Sequence, residues 1–112
     1  MRTRGNVLLV VLILAPWQDG AAQTSARDSV LSTMERAFDA MRARDTTGLR
    51  TAFDSTARLI GVPDSAARPT RPRTVSQFLA DIAHAPPDRA FDERMYDPEV
   101  RVDGPIAQLW TY

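Results

Sequence analysis

Residues 100–112 read VRVDGPIAQLWTY, and this stretch decides the fold class. Val100 and Val102 alternate with Arg101 and Asp103, the two-residue period of a strand with one apolar side. Asp103 and Gly104 carry the hairpin signal, because glycine accepts the positive φ of a tight reversal. Residues 106–112 then return as a second strand. Upstream, Phe91, Met95, Tyr96, Val100 and Val102 lie among Asp92, Glu93, Arg94, Asp97, Glu99 and Arg101, which predicts one long, half-exposed strand over 91–102. Pro98 has no N–H to donate, so that strand is expected to bulge near Asp97 or to run along an edge. Parity separates Ala107, Leu109 and Thr111 from Gln108, Trp110 and Tyr112, and leaves open which set faces the rest of the domain.

The chain before this hairpin is mainly helical. Between residues 24 and 44, Val30, Met34, Ala37, Phe38 and Met41 recur at steps of three and four while the charges fall elsewhere, which predicts an amphipathic helix. Ser25 with Asp28 three residues on supplies an acidic capping pair for its start. Asp45, Thr46 and Thr47 offer caps for a short second helix bearing Leu49, Ala52 and Phe53. Residues 57–62, ARLIGV, form a compact β-prone run, and the Pro- and Arg-rich stretch 64–73 reads as a loop. Thr74 with Gln77 is a capping box, followed by Val75, Phe78, Leu79, Ile82 and Ala83 at helical spacing. That third helix ends before Pro86 and Pro87. Helices followed by strands place the chain in the α+β class.

Composition narrows the chemistry. The 112 residues carry 14 basic and 14 acidic side chains, so no net charge draws the chain to nucleic acid or to an anionic membrane. There is no Cys, which removes disulfides, thiolate zinc sites and thiol catalysis. Every cation is Arg, which removes Schiff-base and lysine acid/base chemistry. At the N-terminus Arg2 and Arg4 precede nine unbroken apolar residues at 7–15, closed by Pro16. That run is shorter than the roughly 20 residues a spanning helix needs. With the small residues Ala21 and Ala22 after it, residues 1–22 read as a signal peptide cut after Ala22, so residues 23–112 are the mature domain, periplasmic or extracellular and free of the membrane after cleavage.

The order of a long helix, a short helix, ARLIGV, a Pro/Arg loop, a helix, then ERMYDPEVRVDG and IAQLWTY resembles secreted bacterial members of the nuclear transport factor 2-like superfamily, of the SnoaL-like and lumazine-binding-like kind. The resemblance covers about residues 25–112 and is most specific at 100–112. It implies helices packed on a curved antiparallel sheet, a cone-shaped or cystatin-like roll with a pocket at its wide end. Further strands normally follow in that family, so residues 23–112 are expected to form a partial domain with an incomplete sheet. The superfamily spans isomerases, dehydratases and many noncatalytic binding or association domains, and no catalytic set of its enzymes maps onto these residues.

The residues that could carry chemistry are few. His84, the only histidine, stands in the last turn of the third helix, where it suits either proton transfer or capping of the negative helix end. Tyr96 and Asp97, an acid beside a phenol, could serve as donor and base for an enolate, but neighbours on a regular strand point to opposite sides, so only a bulge would bring them together. The acids at 92, 93, 97, 99 and 103 match no metal-loop spacing, and neither a metal nor a cofactor is expected. Met34, Phe38, Met41, Phe78, Met95, Leu109 and Trp110 could line an apolar pocket, and the same residues are what any core needs. The expected function is therefore noncatalytic binding of a small apolar or amphipathic molecule, or association through the sheet, including a homodimer. A small cofactor-free isomerase or dehydratase and a purely structural dimerisation module are the alternatives.

Overall fold

The computed structural model describes residues 18–62, 67 and 69–112. The apolar run and most of the expected signal peptide lie outside them. The elements in order are α1 (Gln18–Arg42), α2 (Thr46–Arg50), β1 (Arg58–Ile60), β2 (Pro72–Thr74), α3 (Val75–His84), β3 (Glu99–Asp103) and β4 (Ile106–Trp110). This is an α+β protein.

Helix α1 begins six residues before the expected start, so the expected cut after Ala22 falls within its exposed first turns. It also ends earlier than the periodicity predicts. Arg44 adopts φ +54, the Asp45 N–H donates to the Ala40 carbonyl at 2.8 Å, and the Arg44 N–H donates to the Met41 carbonyl at 3.0 Å. This is a Schellman termination with arginine where glycine usually stands, so the sequence carries no glycine to announce it. Asp45 then caps α2, its carboxylate accepting from the Gly48 N–H at 2.9 Å. The turn between the helices brings Leu49 over α1. Leu49 is fully buried, and Ala37, Val75, Leu79 and Ile82 complete the core, with Met34, Met41, Phe53 and Phe78 packed around it. The capping box of α3 is formed on both sides, Thr74 accepting from the Gln77 N–H and Gln77 accepting from the Thr74 N–H.

The strands make two separate antiparallel pairs. Residues 72 and 73, expected within a loop, form β2 with the capping residue Thr74 and pair with β1, Leu59 lying opposite Arg73. Pro72 opens that strand, a place where a missing N–H is tolerated. In the second pair, Val100 faces Leu109 and Val102 faces Ala107. Asp103 and Ile106 are themselves paired, so the two turn residues are Gly104 and Pro105 and not Asp103 and Gly104. Gly104 takes φ +55 at the first central position, as a type II′ reversal requires, while Pro105 cannot take the second positive φ of a type I′ turn.

The long strand expected over 91–102 is regular only from Glu99. Tyr96 and Tyr112 exchange backbone hydrogen bonds of 3.0 and 3.2 Å, whereas Glu99 pairs with Trp110, so Asp97 and Pro98 together oppose Thr111 alone. That is the β-bulge Pro98 predicted, and Asp97 sits in it at φ +45. The Thr111 hydroxyl pins it, accepting from the Tyr96 N–H at 2.9 Å and donating to the Tyr96 carbonyl at 3.0 Å. Before the bulge, residues 91–95 are held by side chains: the Arg42 guanidinium donates to Asp92 at 2.9 Å and to Asp39.

Candidate functional site

The residues after α3 are turned back by Ala85, whose extended backbone and the following prolines end the helix. Arg44 fixes this reversal. Its guanidinium donates to the carbonyls of Ala85 and Arg89, each at 2.8 Å, and to that of Pro86. The chain therefore returns across the end of α3 with Phe91 between two cations: the guanidinium carbons of Arg44 and Arg89 lie 5.3 and 5.2 Å from its ring centre.

A cleft of about 310 Å³ opens between this returning segment and α3, lined by Arg73, Phe78, Asp81, Ile82, His84, Ala85, Arg89 and Phe91. Its apolar part is Phe78, Ile82 and Phe91, with Phe78 set edge-on to Phe53 at 6.0 Å. Its polar rim is positive. Arg73 is neutralised by an ion pair with Asp81, whereas among the described residues Arg89 has no carboxylate partner and its guanidinium rests on Phe91. His84 reaches the Ala80 carbonyl at 2.7 Å through Nδ1. A carbonyl only accepts, so Nδ1 carries the hydrogen and Nε2 is the nitrogen left for a ligand or water. The contact folds the ring back along α3 onto a carbonyl one turn before the helix end.

A second hollow of about 280 Å³ lies between α1 and residues 93–95, with Phe38 and Met95 surrounded by Glu35, Asp39, Arg42, Glu93 and Arg94. Its two cations are paired: Arg42 with Asp39 and Asp92, and Arg94 with Asp92. The Asp92 carboxyl beside it is held below the usual carboxylate range by its hydrogen bonds from Arg42 and then from Arg94, and Arg42 is raised in turn, chiefly by Asp92. The pocket-lining candidates are thus dispersed. Phe38 and Met95 share this hollow, Phe78 lies in the α3 cleft, and Met34 and Met41 pack on the core. Leu109 faces inward opposite Val100, while Trp110 is 65% exposed on the outer face of the hairpin.

The three candidates for proton transfer are also apart in the architecture. His84 ends α3, while Tyr96 pairs with Tyr112 and Asp97 follows it in the bulge, both exposed, and no hydrogen bond among the described residues joins His84 to either. Among the described residues no group of three His, Cys, Asp or Glu side chains could hold a metal ion, and no helix is long and apolar enough to cross a membrane. The sequence passed over Arg89 and Phe91, whose usable signal is their spacing. An Arg and an aromatic two residues apart, directly after a double proline that must reverse the chain, bring a cation and a ring back over the preceding helix. No family model matches the chain, and neither a curated protein nor a solved structure does.

Proposed function

We propose that this is an exported, noncatalytic binding domain for a small anionic amphipath, such as an aryl or short-chain carboxylate. The observation that carries the reading is Arg89: a guanidinium without a carboxylate partner among the described residues, held on an aromatic ring in a cleft that also presents Phe78 and Phe91. A carboxylate satisfies the fork of Arg89 and reaches His84 Nε2 through a hydrogen bond or a water, while the apolar body covers Phe78 and Phe91. The α+β order of elements supports keeping the nuclear transport factor 2-like resemblance as part of this proposal. Titration with phenylacetate, followed by the NMR shifts of His84 and Phe91, should saturate. Arg89→Ala should weaken binding about tenfold, the loss of one charge-assisted bidentate contact, whereas Trp110→Ala leaves it unchanged. Shifts that do not saturate, or that are identical in Arg89→Ala, overturn the assignment.

A further inference from the structure

The hydrogen bond that orients His84 also decides what its free nitrogen can receive. Nδ1 donates to the Ala80 carbonyl at 2.7 Å, so in the neutral ring the hydrogen sits on Nδ1 and Nε2 carries only a lone pair. A carboxylate, too, has only lone pairs to offer. Neutral His84 therefore meets an anion held on Arg89 only through a water that donates to both, whereas the imidazolium donates from Nε2 to the carboxylate directly. One proton separates the two arrangements.

The charged groups around the ring are already engaged or are themselves cations. On α3 the acid that shares the cleft is Asp81, and it is paired with Arg73 of β2. The returning segment presents Arg89, while its acid, Asp88, is exposed and stands outside the cleft lining. Arg44, from the turn between α1 and α2, directs its guanidinium to the carbonyls of Ala85, Pro86 and Arg89. Among the described residues lining the cleft, no free carboxylate remains for an imidazolium, and a bound anion supplies one. Resting on the reading of this cleft as an anion site, we propose that ligand binding is coupled to proton uptake at His84 Nε2, so that the cleft holds a carboxylate more tightly as pH falls through the titration of the ring. Histidine is the side chain whose charge ordinarily changes between pH 5 and 8, and this chain has one. The coupling is reciprocal: whatever factor the proton adds to ligand affinity, the ligand adds to proton affinity. His84 is exposed, so that factor is the one of a solvent-screened charge pair, about three- to fivefold.

Phenylacetate is a suitable probe because its carboxyl, like that of glutamic acid, stays ionised from about pH 6 upward. Its dissociation constant, measured by calorimetry, should be about threefold smaller at pH 6 than at pH 8. Near neutral pH the heat of binding should differ between buffers of unlike ionisation enthalpy, which reads the proton taken up. With one histidine in the chain its imidazole NMR signal needs no assignment, and the midpoint of its titration should move up by about half a pH unit when phenylacetate saturates the cleft. His84→Gln should bind with one dissociation constant at both pH values; a merely structural role for His84 would instead weaken binding equally at both and keep the pH dependence. Saturable, Arg89-dependent binding that is equal at pH 6 and pH 8, a pH dependence retained in His84→Gln, or an imidazole midpoint unmoved by the ligand overturns this inference and leaves the anion site standing. The absence of saturable binding at either pH overturns both.

Discussion

Arg44 is asked to do two things that conflict, and the conflict makes its replacement a quantitative test. Its backbone occupies the left-handed C′ position of α1 at φ +54, where a residue with a Cβ costs about 1 kcal/mol relative to glycine. Its side chain, partly buried, donates to three carbonyls beyond α3. Bonds from a charged donor contribute about 1.5 kcal/mol each at the low end, and ordering one long side chain offsets about 2 kcal/mol of their sum. Arg44→Ala keeps the backbone strain and loses the clamp, so it should destabilise by about 2–3 kcal/mol. Arg44→Gly loses the same clamp but relieves the strain, so it should destabilise by about 1–2 kcal/mol. At about 4–8 °C per kcal/mol for a domain of this size, the alanine variant should melt roughly 10–20 °C lower. Urea denaturation followed by far-UV circular dichroism gives both values if the slope is unchanged. An alanine variant within about 0.5 kcal/mol of the parent, or a glycine variant less stable than the alanine one, refutes the reasoning.

Two further expectations rest on other parts of the chain. Asp92 is held below the ordinary carboxylate range by Arg42 and Arg94, so the stability it contributes is fully present above that range and is lost as pH falls through its folded-state value. Asp92→Asn should therefore lower the urea midpoint near neutral pH and flatten its decline on acidification; a parallel curve with the same acid limb would contradict this. Expression in a bacterial host should release a product whose first residue is near Gln23, read by intact mass, and a soluble chain retaining Met1 would contradict export.

What the sequence made legible were the elements whose signals are local. The Thr74–Gln77 capping box and the apolar spacing of α3 lie within one segment and fold as written. Pro98 forced a bulge because a missing N–H is a property of one residue. The parity of β4 was not legible, because it depends on whether α1 lies over Leu109 or over Trp110, a contact between distant parts of the chain. β2 was hidden for a related reason. Three residues opened by a proline have little propensity of their own, and their pairing with β1 is created by the chain closing between them. The end of α1 was obscured by Arg44 itself, since its side-chain contacts across the fold outweigh the local preference for glycine. In the site, Phe78 and His84 could be marked from helix position, while Arg89 and Phe91 became relevant only once the double proline had turned the chain.

The clamp and the cleft use the same groups, and this bears on how binding relates to folding. Arg44 holds the Arg89 carbonyl, and Phe91 receives both guanidiniums, so the ligand-facing cation is positioned by contacts that also fasten α1 to the end of α3. The Arg89 backbone is held by Pro86 and Arg44, but among the described residues its guanidinium has no carboxylate partner and stacks on Phe91. Anion binding there exchanges water for a carboxylate with little reordering of the side chain, which is the condition under which an exposed cation gains affinity. The charge pairs elsewhere in the molecule lack this property. Arg73 is neutralised by Asp81 and Arg42 by Asp39 and Asp92, so an incoming anion would first have to displace a carboxylate. Among the cations lining the described hollows with aromatic side chains, the preorganised and uncompensated one is Arg89, and its position depends on a helix end where an arginine replaces the expected glycine.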